Sequence, residues 1–195
     1  MTSPSSTPSS APREGLKWVK IKRFLALPLA PARLRTYRAA KRFEDVPIDA
    51  LVADGIRGVL LDADGTLGPH HTRVFSDSVR AHVHKMVHSG LRVAIYTNAW
   101  EDRFGAFEGV AIVTDVPPKP DPGGFETAMK KFLQLGDPAT VCMIGDNYIT
   151  DGGAIDAGMR FIHVRPVPGP ENFLHRVTRF IAYQLARLYS PKSFR

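Results

Sequence analysis

The chain has 195 residues, 44% of them hydrophobic, with one cysteine and a formal net charge of +7, which fits a single globular domain with extensions. Cys142 alone excludes an internal disulfide, and no Cys/His set has zinc-finger spacing, so a reducing, cytosol-facing compartment is the simplest expectation. The charge is uneven. Residues 1–43 hold ten Lys/Arg against Glu14 alone, residues 172–195 hold five against no acid, and the middle is acidic. Basic ends of this kind suit polyanions, either nucleic acid or an anionic membrane.

Residues 1–14 are rich in Ser, Pro and Thr and are expected to be disordered. Residues 15–27 mix Leu16, Trp18, Val19, Ile21, Phe24, Leu25 and Leu27 with four basic residues. They predict a short basic amphipathic helix, lying on a membrane or packed on the domain. Apart from that helix, the whole of 1–43 reads as a disordered basic N-terminal extension, and 44–195 as the folded domain. The apolar run Phe24 to Ala32 contains Pro28 and Pro31 and falls far short of the roughly 20 residues of a membrane span. The same prolines, and the Ser/Pro tail before them, make a poor secretory signal. A basic, acid-poor N-terminus also fits an organellar transit peptide, mitochondrial or plastid.

From residue 57 strand and helix signals alternate. Gly58 to Asp62 is a short apolar run. Ser76 is a helix N-cap, and that helix ends near Gly90. Strands are predicted at Leu91 to Thr97 and, weakly, at Val110 to Val113. A helix opens at Gly123 or Gly124 and stops at Gly136. Val141 to Ile144 is the fourth strand, a short helix ends near Gly158, and Arg160 to Val164 is the fifth strand. This alternation predicts an α/β fold, a doubly wound parallel sheet with helices on both faces. Residues 171–189 predict a final basic helix. Its apolar stripe (Phe173, Leu174, Val177, Phe180, Ile181, Leu185, Leu188) reads as a core-packing face, with a membrane or partner surface as the alternative.

Ligands of doubly wound sheets bind at the carboxyl ends of the strands, and the polar residues of interest lie there. The first strand ends in Asp62-Ala63-Asp64-Gly65-Thr66-Leu67, the second in Thr97-Asn98, the fourth in Gly145-Asp146 with Asp151 just beyond, and Lys119 follows the third. Clustered carboxylates raise one another's pKa unless a cation sits among them. An oxygen-only donor set favours Mg2+, which binds through one or two carboxylates plus a phosphate oxygen, so the expected substrate is a phosphate ester. Asp62 and Asp64 can reach one phosphate, one as nucleophile and one as proton donor. Gly65 permits the tight turn, while Thr97 and Lys119 supply a hydrogen bond and positive charge. Gly65, Thr66, Asn98 and His70 stand as candidate substrate contacts. Five of seven histidines crowd into 70–88. His70 and His71 follow the first motif, and His84 and His88 have the i,i+4 spacing of a metal pair or a solvated helix face.

Taken together, DADGTL, Thr97, Lys119 and the Asp146/Asp151 pair resemble the four motifs of the haloacid dehalogenase (HAD) superfamily. The resemblance implies that Asp62 forms an aspartyl-phosphate and that Asp64 is the general acid and then the base. It further implies that Asp62, the Asp64 carbonyl and Asp146 hold Mg2+, and that Asp151 supports the metal or orients Lys119. The motif intervals leave no room for a cap domain, so the cleft is expected to be open. GIRGVLLDADGTL, KPDPGGF and GDNYITDGGAIDAGMRFIHVRPV, followed by a basic helix, are similar to the capless subclass IIIA, phosphatidylglycerophosphatase-like group. Gly65 and Ala99 depart from it, since Asn is commoner at both positions. The resemblance implies a peripheral enzyme on the cytosolic face of the inner membrane, drawn by its basic ends to anionic lipid. Two alternatives remain. One is a soluble HAD phosphatase for a nucleotide, sugar phosphate or phosphoprotein. The other is a nucleic-acid-binding protein on a HAD scaffold, against which no aromatic-basic interleaving is found.

Overall fold

The computed structural model describes residues 17–99, 103–105 and 107–194. The tail expected to be disordered, 1–14, lies outside the described residues.

Six strands form one sheet: β1 (Arg38–Ala40), β2 (Gly58–Leu61), β3 (Arg92–Ile95), β4 (Ala111–Ile112), β5 (Val141–Gly145) and β6 (Arg160–Val164). The spatial order is β1-β6-β5-β2-β3-β4, and every pairing is parallel. The predicted α/β class is therefore the observed one. Parallel strands need both faces covered, so their sequences read as continuous apolar runs; β2 and β5 are buried along their whole length.

Alternate residues of each strand feed opposite faces. Val59, Leu61, Val93, Ile95, Cys142 and Ile144 pack on one side with α2 (Ile48–Ala53) and α3 (Asp77–His88). Leu60, Ala94, Met143 and Phe161 pack on the other with α4 (Pro122–Thr127), α5 (Gly153–Asp156) and α6 (Phe173–Tyr189). The Ser76 hydroxyl accepts from the Val79 amide at 3.3 Å and starts α3 as predicted. Asp121 caps α4, which runs on into a wider π turn over Ala128–Phe132.

Two expectations need correction. The boundary at residue 43 cuts through folded chain: Arg38–Ala40 pair with Ile162–Val164 as an edge strand. Ahead of that strand, α1 (Lys17–Ala26) is anchored by buried Leu27 and by buried Arg23, which pairs with Asp156 and donates to the Tyr148 carbonyl. The backbone of β6 needed an edge partner, and a three-residue strand supplies one without any apolar alternation. The second correction concerns α6. It packs inward through Arg179, Ala182 and Ala186, while Phe173, Leu174, Phe180, Ile181 and Leu188 of the apolar stripe are exposed. Alanines let the helix sit close to the sheet; of the stripe, Leu185 packs against the core and Val177 is half-buried, while the other large side chains are left outside.

Between Asp62 and Thr97 the chain holds only a loop, α3 and β3, and between Thr97 and Lys119 the described residues add only β4. Among the described residues there is no cap domain. No helix among them is long and apolar enough to cross a membrane.

Candidate active site

The strand ends meet at one edge of the sheet, in a cleft of about 350 Å3 lined by Asp62, Asp64, His70, Thr97, Asn98, Asp146 and His175, among others. β2 delivers Asp62 just past Leu61, where its amide donates to the Ile144 carbonyl at 2.9 Å. β5 delivers Asp146 after Gly145. That glycine is required by space, because a Cβ there would lie 2.3 Å from the Asp151 Oδ2.

Lys119 is buried and its Nζ bridges two carboxylates, Asp62 Oδ1 at 2.5 Å and Asp151 Oδ1 at 2.6 Å. Asp62, Asp146 and Asp151 each offer an oxygen within 4.8 Å of the others. Burial and the nearby Asp151 push the Asp62 carboxyl up to about 7, against the pull of Lys119. Burial also pushes Asp146 well above the carboxylate range, only partly offset by Arg179. Burial would lower the Lys119 ammonium, but Asp151 and Asp62 outweigh it and hold it above the usual lysine value. Three buried carboxylates thus face two cations, Lys119 and Arg179. Such an oxygen-only pocket with excess negative charge fits a hard divalent ion such as Mg2+.

Several predicted residues take different parts from those expected. Asn98 was expected to contact substrate. It lines the cleft, and its Nδ2 donates to the Lys119 carbonyl while its Oδ1 accepts from the Lys119 amide, both at 2.9 Å, so it also braces the lysine. Gly65 acts sterically: its φ is +84°, and a Cβ would approach Asp146 Oδ2 to 2.7 Å. Its amide is already given to the Gly68 carbonyl at 2.8 Å, which leaves no donor for substrate. Thr66 is buried and donates to Asp62 Oδ2 at 3.4 Å, a long contact to the carboxylate. Thr97 is buried at the cleft and its hydroxyl accepts from the Ala99 amide at 3.1 Å. His70 does line the cleft. His84 and His88 do not: their rings lie tilted against each other on the exposed side of α3, and among the described residues no further His, Cys, Asp or Glu joins them in a three-residue metal cluster.

Asp64 is held by a residue that sequence reasoning missed. Arg103 grips both of its oxygens, at 2.9 and 2.7 Å, and the His71 amide donates to it at 2.8 Å. Burial alone would raise the Asp64 carboxyl, but the Arg103 guanidinium overrides it and holds the group below the usual range. Nothing in the sequence around 103 marks that pairing.

The α6 helix also enters the site. Arg179 donates to Asp146 Oδ2 at 2.6 Å and to Glu171 Oε2 at 2.7 Å. His175 lies 3.0 Å from the Asn147 amide nitrogen and 2.8 Å from Glu171 Oε1. The signal for these residues was present as a strip, His175-Arg179-Ala182-Ala186, on the side opposite the apolar stripe. Arg179→Met is expected to lower unfolding stability by about 3–5 kcal/mol, because it leaves the buried Asp146 without its guanidinium partner and takes one of two partners from Glu171. Urea denaturation checks this, and a loss within error of zero would mean that water already reaches Asp146.

Over residues 116–166 the chain matches a family model described as HAD-hydrolase-like. That segment holds Lys119, Asp146 and Asp151 but not the Asp62 motif, and it is well under half of the chain. No curated protein matches in sequence. Among solved structures, the chain is similar to an uncharacterized protein from Listeria monocytogenes serotype 4b, at 20% identity and a TM-score of 0.45, over 60% of this chain and 85% of that one. It is also similar to 3-deoxy-D-manno-octulosonate 8-phosphate phosphatase from Yersinia pestis, at 18% identity and a TM-score of 0.43, over 75% and 87%. At this level of likeness neither name carries anything over to this chain.

Proposed function

We propose that the protein is a Mg2+-dependent phosphomonoester hydrolase that works through an aspartyl-phosphate on Asp62, with phosphatidylglycerophosphate as substrate and phosphatidylglycerol as product. The observation that carries the reaction class is the meeting of Asp62, Asp146 and Asp151 within 4.8 Å, with Lys119 bonded to two of them. The lipid substrate has its support in the capless cleft and in the segments similar to the phosphatidylglycerophosphatase-like group. The enzyme would work as a peripheral protein on the cytosolic face of an inner membrane or, if the N-terminus targets an organelle, on its internal face.

Mg2+ held by Asp62, Asp146, Asp151 and the Asp64 carbonyl would neutralise charge on the carboxylates and the phosphoryl oxygens. An Asp62 carboxylate oxygen attacks phosphorus, and the ester P–O bond breaks. The leaving oxygen takes the Asp64 proton. Water then attacks the phosphorus of the aspartyl-phosphate, its proton passes to the Asp64 carboxylate, and inorganic phosphate leaves as Asp62 is restored. Lys119, fixed by Asn98, places its ammonium against the phosphoryl oxygens. The Arg103–Asp64 pair suits the second half-reaction, in which Asp64 acts as a carboxylate. The first half needs Asp64 protonated, so the pair must open as substrate enters.

Phosphate release is to be measured with Mg2+ over phosphatidylglycerophosphate in mixed micelles, nucleoside monophosphates, sugar phosphates and a phosphopeptide. The highest kcat/KM is expected on the lipid. A soluble ester turned over more efficiently would replace the lipid reading with that of a soluble phosphatase. No release from any of them, with nucleic acid bound instead, would remove the enzyme.

A further inference from the structure

Large apolar side chains stand outward on two neighbouring elements at one end of the sheet. On α1, Trp18 and Leu25 are 75% and 66% exposed; on α6, Phe173 and Leu188 are 69% and 70% exposed. The two helices flank one groove, and the Tyr189 hydroxyl on α6 reaches the Pro28 carbonyl just after α1. Single exposed apolar residues are ordinary, but a run of them on adjacent helices is a contact surface.

The charge around this surface is of one sign. Lys22 on α1 and Arg176 and Arg187 on α6 are exposed beside the apolar residues, and residues 172–195 contain no acid at all. A second copy of the chain would bring like charge against like. An anionic lipid surface meets both features, with apolar side chains entering the acyl boundary and the Lys/Arg heads at the phosphates.

The groove adds continuity with the cleft. It has a volume of about 400 Å3, and its apolar walls are Ile21, Phe24, Ile149 and Leu174. It shares Lys20, Asn147, Thr150, Asn172 and His175 with the catalytic cleft. A groove with apolar walls therefore runs from the exposed helix faces to the polar mouth of the catalytic cleft.

We propose that the paired outer faces of α1 and α6 dock the protein on an anionic phospholipid bilayer, so that the apolar groove opens toward the lipid and the phosphate end of the substrate enters the cleft from the membrane side. This rests on the hydrolase reading above only for what the cleft then does. Docking also links mechanically to the site, because α6 carries Arg179 on its inner face and the apolar stripe on its outer one.

The test is sedimentation with phosphatidylcholine vesicles, with and without phosphatidylglycerol, on the full chain and on a Trp18→Ser/Leu25→Ser/Leu188→Ser variant. None of these three residues lines the cleft. The wild-type chain is expected to pellet with the anionic vesicles, to stay in solution with pure phosphatidylcholine, and to come off in high salt. The variant is expected to bind at least about tenfold more weakly, with its melting temperature and its rate on a small water-soluble phosphate ester unchanged. Wild-type protein left in solution with anionic vesicles overturns the proposal, as does a variant that binds as tightly as wild type. A wild-type dimer that the variant dissolves, without any vesicle binding, overturns it too and gives the face to a second copy. Vesicle binding without phosphate release from any ester would keep the docking face and discard the hydrolase reading.

Discussion

Asp62→Asn is expected to stop phosphate release, lowering kcat by about 10⁴-fold or more, as removal of a covalent nucleophile does. The protein should remain folded. Asp62 lies in a buried cluster with more carboxylates than cations, and its carboxyl is pushed up to about 7 by burial and Asp151. An amide at this position keeps an oxygen for the Lys119 ammonium while removing one buried negative charge. The metal-free variant should therefore melt no lower than the metal-free wild type at pH 8. Quench-flow with substrate labelled in the phosphate would trap the phosphorylated chain in the wild type and not in the variant. An unaffected rate would remove the aspartyl-phosphate mechanism. A dead and unfolded variant would mean that the Lys119–Asp62 pair carries structure rather than chemistry.

The parts of this site legible in the sequence are those set by strand ends. Gly58–Leu61 and Val141–Gly145 are unbroken apolar runs because both faces of a parallel strand are covered. The first charged residue after each is then forced to the sheet edge. That logic places Asp62 and Asp146 without a structure. It fails where position depends on contacts between distant segments. Arg103 reaches Asp64 across 39 residues, and no periodicity announces it. Asn98 sits at a strand end like a ligand, yet both ends of its side-chain amide are taken by the Lys119 backbone, 21 residues away. For α6 the period was correct and the direction was not. An amphipathic pattern tells that a helix has two faces, and here the small-residue face with Arg179 is the inner one. Arg38–Ala40 is too short for a pattern, and its place in the sheet comes from backbone pairing with β6.

Mg2+ should stabilise this protein far more at pH 8 than at pH 5, because of the sign of the Asp62 shift. In the unfolded chain Asp62 loses its proton near the ordinary value of 3.8, whereas in the metal-free fold it keeps it to about 7. Between those values the folded state binds more protons than the unfolded state, so stability falls as pH rises through this window and levels off above it. At about 1.4 kcal/mol per unit of pKa, the loss from this one group is a few kcal/mol. Asp146 is shifted in the same direction by burial and adds to the trend. A divalent ion among the three carboxylates favours their charged forms and cancels the loss, but only where those forms are accessible. Scanning calorimetry of chelator-treated protein should show Tm dropping from pH 5 to pH 8. Added Mg2+ should restore it at pH 8 and barely move it at pH 5, with activity following the restored fraction. An equal Mg2+ shift at both pH values would place the ion elsewhere than among Asp62, Asp146 and Asp151. The excess buried charge would then have to be neutralised by protons alone.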